Sequence, residues 1–517
     1  MSVHRKIAKS AGIIGIATFC SRLLGFIRDV VIARLFGVYV YAQAFVIAFK
    51  IPNLFRDLVG EGAANAAFVP VFSEYILKHS KEEFWELVNA VLNLLLVTLM
   101  AITILGVINA GFLVRLIAPG FIADSGKLAV TVNLTRIIFP YILLISLAAY
   151  STAILNSLGH FSIPAFAPCL LNISIIICAL LLGEGTLGLA SGVLAGGILQ
   201  LVIQIPVLYK KGFRFKLFSR FRHPAAKTIG RLMLPRLLSS CIYQLNNFVD
   251  SIFGSLAFAV GEGGVAVLYF AYRLVQFPLG VFSNSLSQAI LPRFCVEAAE
   301  NNYDTLQRTL SFGLRAVIFV MLPASVGLMS CAYPIVKTIF EGGKFDAYST
   351  RMTADVLFFY SIGLFSYAAT KILQACFFAL KDTLTPAKIS AFALGLNIIL
   401  NALFMFPLKI SGIALATSIS GIASCSILLF ILKKRIKPFA IKGIAVSFSR
   451  ILAASLAMGV VCYFFNKNIV FTNSIPGKAA YIFLLIIISL SSYMVFCFMF
   501  RVKEIQELRR WGIRIKS

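Results

Sequence analysis

Apolar runs of about twenty residues recur from one end of this chain to the other, each long enough for a helix to cross a lipid bilayer. No other feature constrains the fold as strongly. In hydrocarbon every backbone N–H and C=O must be bonded within the structure, which leaves only helices and closed barrels. Runs this long and continuous belong to helices. About fourteen can be counted over the 517 residues, from 11–36 to 479–500. Mean hydropathy is +0.92 and 13% of residues are charged, against about a quarter in a soluble protein. The expected class is an all-α polytopic membrane protein with about 14 transmembrane helices.

The net charge is +27. Such an excess can signal nucleic-acid binding, but there is no basic soluble domain with interleaved aromatic residues, so no nucleic-acid partner is expected. The excess gathers in short loops: "KKGFRFKLFSRFRHPAAK" (210–227) and "KKRIKPFAIK" (433–442) hold no acid, and the segment after Arg501 is also basic. Cytoplasmic loops carry such a bias, so both termini are expected in the cytoplasm. "MSVHRKIAKSAGIIGIATFC" (1–20) reads as an uncleaved first span, because the segment runs on through Arg22 and Arg28. The ten cysteines are scattered without a CxxC, and His4, His79, His160 and His223 have no metal-ligand spacing. No Walker loop, HExxH or nucleophile elbow occurs, so no enzyme and no cofactor are expected.

The two basic loops divide the chain into six spans, six spans and two: 1–222, 223–435 and 436–517. The first two blocks resemble each other. "AFKIPNLFRDLVGEGAANAAFVPVFSEY" (48–75) lies opposite "AYRLVQFPLGVFSNSLSQAILPRFCVEA" (271–298), pairing Ala48 with Ala271, Lys50 with Arg273, Pro70 with Pro292 and Phe72 with Phe294. The offset that sets Pro70 on Pro292 also sets Pro164 on Pro386. Even-numbered blocks share one orientation, so two pseudo-symmetric six-helix lobes are expected, followed by two additional helices. Parallel repeats of this kind occur in alternating-access transporters.

Ionisable side chains at mid-membrane cost at least about 2.5–3.5 kcal/mol each and normally face water or a partner. Arg22, Arg28 and Asp29 fall in the first span, and Lys50, Arg56, Asp57 and Glu61 in the second. Asp250 is in the seventh and Arg273 in the eighth. Arg34 lies near a span end, where it can snorkel. At about 100° per residue Arg22 and Asp29 share a face and Arg28 lies about 120° away, with Gly25 between as a place to bend. Lys50, Asn53, Asp57 and Glu61 share a face, and "VGEGAANAA" (59–67) suits a discontinuous helix. One reading is a cationic cavity that binds phosphate or carboxylate through Arg22, Arg28, Arg56 and Arg273. The other is structural: Arg–Asp pairs that pin helices together.

"SRLLGFIRD", "FKIPNLFRDLVGEGA", "AFVPVFSEY" and "AYRLVQFPLGV" resemble the MurJ/MviN lipid II flippases of the multidrug/oligosaccharidyl-lipid/polysaccharide exporter superfamily, over nearly the whole chain. The resemblance implies a protein of the bacterial cytoplasmic membrane, expected to act as a monomer among membrane lipids. Its substrate would be lipid II, undecaprenyl diphosphate bearing the MurNAc-pentapeptide-GlcNAc unit, carried to the outer leaflet for peptidoglycan synthesis. It places the family's functional arginines on Arg22, Arg28, Arg56 and Arg273 and a lipid-tail groove in the last two spans; Asp29, Lys50, Asn53, Glu61, Gln43 and Gln276 are expected to support the cavity. Family members commonly carry acids where this chain has Gln43 and Gln276. The arginines are then less neutralised, which favours an anionic substrate.

With no ATP site, coupling would draw on a Na⁺ or H⁺ gradient or on membrane potential. Asp250, Asn397, Asn401 and Thr417 offer hard oxygen ligands if their helices meet; ordinary interhelical hydrogen bonds are the alternative. Competing functions are a flippase for another polyprenyl-diphosphate glycan, a cation-coupled drug exporter, a lipid-linked sugar transferase and a non-transporting scaffold. A drug exporter wants an apolar or acidic cavity, a transferase wants paired acids or metal ligands on its loops, and a scaffold leaves the intramembrane arginines unexplained.

Overall fold

The computed structural model describes residues 3–56, 64–183, 185–216, 223–436, 441–468 and 475–505. By contact the chain divides into two units, Met1–Ala257 and Phe258–Ser517. The first holds α1 (Val3–Phe36), α2 (Val40–Phe55), α3 (Ala64–Lys78), α4 (Lys81–Ile108), α5 (Ala110–Ile117), α6 (Ser125–Ile138), α7 (Tyr141–Ser157), α8 (Ser162–Leu182), α9 (Thr186–Val202), α10 (Ile205–Lys211) and α11 (Pro224–Gly254). After the short α12 (Ala257–Val260) at the boundary come α13 (Gly264–Pro278), α14 (Asn284–Ala299), α15 (Tyr303–Ser330), α16 (Ala332–Ile339), α17 (Ala347–Ile362), α18 (Leu364–Ala379), α19 (Leu384–Phe404), α20 (Ile410–Arg435), α21 (Ile441–Asn468) and α22 (Ile475–Met499). Among the described residues the one extended pairing is an isolated bridge between Gly342 and Phe345.

Among the described residues ten helical stretches are long and apolar enough to cross a membrane, and α17–α18, bent by 42°, makes an eleventh if it is one span. The remaining long or paired helices, α1, α2–α3 and α11, carry Arg22, Arg28, Asp29, Lys50 and Asp250, while Arg273 lies in one of the ten, and with them the arrangement is compatible with fourteen spans. Large apolar side chains such as Leu181, Leu187, Phe483 and Leu490 are exposed on the helix surfaces, where lipid would cover them. Several expected spans are two helices. The third breaks at Asn109, the fourth at Phe139–Pro140 and the tenth at Gly363.

The repeat is written in the helix starts. Lys81 and Tyr303, Ala110 and Ala332, Ser125 and Ala347, and Ser162 and Leu384 open α4 and α15, α5 and α16, α6 and α17, and α8 and α19, every pair separated by the offset that sets Pro164 on Pro386. The caps repeat too. Ser80 accepts from the Glu83 N–H and its counterpart Asn302 from the Thr305 N–H; Asp124 accepts from the Lys127 N–H and Asp346 from the Ser349 N–H. Each satisfies an amide that the first helical turn leaves open. The helix loosens into a π turn at corresponding places, at Arg56 and over Leu279–Ser283. α11, which opens the second sequence block, packs with the first unit, on α3, α4 and α5.

Within the first unit α8 is held between α1 and α9. Gly188, Gly192 and Gly196 form a stripe on α9 that lets the two backbones close together: a Cβ on Gly192 would lie 2.7 Å from Ile175 Cα, and one on Gly196 2.8 Å from Leu171 Cα. An aromatic core of Phe68, Phe72, Phe84 and Tyr150 joins α3, α4 and α7. In the second unit α15 packs on α14, α17 and α18 and also carries α21, against which α22 lies.

Candidate functional site

In the first unit the site is built around α1, which runs as one helix through Gly25. The bend allowed for there does not occur. A Cβ on Gly25 would meet only Asn172, at 3.7 Å, so no close approach demands the glycine. Arg22 is exposed. Arg28, 4% exposed, is buried. Its Nε and Nη2 donate to Asp29 Oδ1 at 3.0 and 2.7 Å, and its Nη1 donates to Asn172 Oδ1 at 3.0 Å. Asn172 is positioned in turn by donating to Ser21 O at 3.1 Å. A charge taken out of water needs this density of partners. Packing of α8 on α1 brings Asn172 to Arg28, and their separation of 144 residues leaves no trace in local sequence.

On α2, Lys50 is half-buried, donates to Ser251 Oγ of α11, stands 5.5 Å from the Phe248 ring centroid and interacts with the charge of Asp250. Asn53 and Arg56 are half-buried. Gln43 is buried, and its Nε2 has no hydrogen-bond partner among the described residues. Asp57 and Glu61 lie outside the described residues.

In the second unit Arg273 on α13 is half-buried, donating to Tyr269 Oη at 2.9 Å with its guanidinium 4.9 Å from that ring's centroid. A guanidinium stacked on a ring keeps its charge and its donor edge. Gln276, one turn on, is exposed. Asn397, Asn401 and Thr417 do meet: Asn397 Nδ2 donates to Thr417 Oγ1 at 3.1 Å, and Asn401 Nδ2 to Asn397 Oδ1 at 3.0 Å. Both asparagines are fully buried, and Asn401 Oδ1 has no hydrogen-bond partner among the described residues. That chemistry suits a hard cation. Among the described residues no His, Cys, Asp and Glu cluster could hold a metal.

A cleft of about 230 Å³ opens between α14 and α18, its mostly apolar wall holding Leu291 and Phe378 beside Asn284, Gln288, Lys371 and Gln374. Lys371 Nζ donates to Asn284 Oδ1. This lysine is not among the residues singled out from the sequence, although it stands inside the tenth expected span. The burial cost that singles out Lys50 applies equally to it.

The sequence profile described as "Lipid II flippase MurJ" matches residues 32–484. A probable lipid II flippase MurJ of Buchnera aphidicola subsp. Acyrthosiphon pisum is 36% identical over 412 residues, 79% of this chain and 80% of that protein. The lipid II flippase MurJ of Burkholderia cenocepacia is 34% identical over 432 residues, covering 81% and 82%. Among solved structures, a lipid II flippase MurJ in an inward closed conformation superimposes with a TM-score of 0.79 at 29% identity, over 95% of this chain and 99% of that one. An inward-facing multidrug resistance MATE family transporter of the MOP superfamily gives 0.69 at 16% identity, covering 81% and 95%, a likeness of fold alone. The length of the profile match and the whole-chain agreement leave one conclusion: the chain belongs to the MurJ lipid II flippase family.

Proposed function

We propose that this protein is a lipid II flippase, carrying undecaprenyl-diphosphate-MurNAc-pentapeptide-GlcNAc from the cytoplasmic to the outer leaflet by alternating access through a cationic cavity. The observation that carries the reading is a set of cations within the expected spans, Arg22, Arg28, Arg56, Lys50 and Arg273, in a chain of this family. Arg22, Arg56 and Arg273 are exposed or half-buried, and their planar donor edges suit a diphosphate. Arg28 joins them by exchanging the Asp29 carboxylate for a phosphate oxygen, so Asp29 tunes rather than binds. Asn53 and Lys50 extend the same helix face, and Gln43 and Gln276 leave the cations less neutralised than acids would. Both termini are cytoplasmic, the protein works as a monomer, and the last two spans hold the lipid tail.

Coupling uses a cation or the membrane potential, with Asn397, Asn401 and Thr417 as oxygen ligands and Asp250 as a proton- or cation-responsive acid. Asp250→Asn should then change the dependence of transport on ion gradient or potential; an unchanged dependence removes Asp250 from coupling. The central test is complementation of a conditional lipid II flippase mutant with a direct assay of outer-leaflet lipid II. Restored outer-leaflet lipid II supports the assignment. Its absence with stably inserted protein rejects it in favour of another polyprenyl-diphosphate glycan as cargo.

A further inference from the structure

Two cysteines of the second unit meet where α15 ends. Cys331 terminates α15 and opens α16; it is 1% exposed, and Cys462 on α21 is fully buried. α21 reaches this point through a glycine: a Cβ on Gly459 would lie 2.8 Å from Ser330 Oγ and 2.7 Å from Val326 Cγ1. Cys331 follows Ser330 in sequence, and Cys462 stands one turn beyond Gly459 on the same face of α21. The approach of α21 at Gly459 and the contact of Cys331 with Asn466 set the Cys331 sulfur beside the face of α21 that carries Cys462. Asn466, a further turn along α21, donates to Cys331 Sγ at 3.3 Å, and Cys462 Sγ lies 3.1 Å from Ser489 Oγ on α22. Tyr481 donates to Asn466 Oδ1. The repeat makes the contrast plain. The first-half counterpart of Cys331 is Asn109, which likewise stands just before the helix that follows it, and which is exposed and bonds its own helix.

We propose that Cys331 and Cys462 are a dithiol that oxidises to a disulfide, fastening α21 to the end of α15. Under the orientation proposed above this end faces the outer side of the membrane, where the bacterial compartment is oxidising. The oxidant is a disulfide donor: an extracytoplasmic oxidised-dithiol protein in the cell, or oxidised glutathione in vitro. One thiolate attacks the donor's S–S bond, which breaks to give a mixed disulfide and a donor thiolate. The second cysteine attacks the mixed disulfide at its partner's sulfur and expels the other donor sulfur. Two electrons pass to the donor, and the two protons released by the cysteines end on its thiols. α21 ends at Asn468, so exchange requires only its last turns to open.

The test uses the full chain in lipid nanodiscs, oxidised with oxidised glutathione, denatured in N-ethylmaleimide and peptide-mapped. The expected result is a peptide pair linking Cys331 to Cys462, two fewer alkylated cysteines, a higher Tm, and reversal of all three by dithiothreitol. Cys462→Ala should remove the link and the Tm rise. Mapping of the unsubstituted protein stands even if that variant fails to insert. Recovery of both cysteines alkylated after oxidation, or linked to other cysteines instead, overturns the proposal. A second arm maps protein quenched with N-ethylmaleimide in cells. The link should be present when extracytoplasmic thiol oxidation is intact and missing when it is disabled. Its absence from normal cells overturns the physiological pairing. Neither arm requires lipid II, so failure here is distinct from failure of the flippase reading.

Discussion

Arg28 shows how an intramembrane charge is kept. Its guanidinium is closed on one side by Asp29 and on another by Asn172. Removing one partner of a buried pair leaves the other charge uncompensated, typically at about 3–5 kcal/mol. Asp29→Asn should therefore lower the unfolding free energy by an amount of that order, read as a marked fall in Tm. Arg22→Ala, at an exposed position, should leave stability within about 0.5 kcal/mol of the parent while abolishing flipping; normal outer-leaflet lipid II in that variant would remove Arg22 from the site. Outside the membrane, Asp382 accepts from the Thr385 hydroxyl and N–H and from Arg435, in that order of effect, which holds its carboxyl down at about 2. A depressed carboxyl stabilises fully above its unfolded value of about 4, and that contribution disappears as pH falls through the folded value. The Tm gap between the parent and Asp382→Asn should be constant near neutrality and close between about pH 4 and 2. At this scale the sequence tells which residues carry charge and what that charge costs. It does not tell that Arg28 turns inward, because the deciding partner sits on another helix. Lys371 is equally legible by cost, and only its cleft with Asn284 draws attention to it.

At the scale of helices, the close approaches follow from small residues. Gly192 on α9 has Ile175 Cα 2.7 Å from where a Cβ would stand. Gly192→Val should push α8 away and cost about 1–3 kcal/mol as overpacking. It should also weaken the Asn172 contact to Arg28, so its loss of stability and that of Asn172→Ala should be less than additive in a double-mutant cycle. Gly25→Ala should be tolerated and slightly stabilising, since the helix is regular there and alanine is the better helix former. A clear fall in Tm would show that Gly25 serves a bent state of α1. The small-residue spacing of α9 is readable as a packing face. Gly25 misleads, because a glycine between two arginines looks the same whether the helix bends or simply passes a neighbour. Breaks at Asn109 and Gly363 are not visible in hydropathy, which averages over both pieces.

At the scale of the whole chain, the repeat is the most legible feature. The proline and aromatic anchors of the sequence define an offset that four pairs of helix starts and two pairs of caps reproduce. Among the described residues hydropathy alone recovers ten or eleven spans, one of which holds Arg273. The proposed transport makes one demand of the molecule: a cysteine placed at Arg273 should react with a polar, membrane-impermeant thiol reagent in at least one conformation. Complete protection throughout would mark Arg273 as a packing residue.

The π turn over Leu279–Ser283 has a further consequence. Asn284 N–H bonds back to Leu279 O, five residues away rather than four, so one residue more than an α-helix needs is wound into this turn. The surplus is taken up within the turn, and helical phase downstream is kept. Deleting one residue within the turn should restore ordinary winding and keep Asn284 and Gln288 on the face that borders Lys371, whereas deleting one from the regular part of α13 would swing them by about 100°. The cleft should therefore survive loss of the surplus residue and be lost when the same deletion is made one or two turns upstream. The least regular turn of this span is the place where its register can spare a residue.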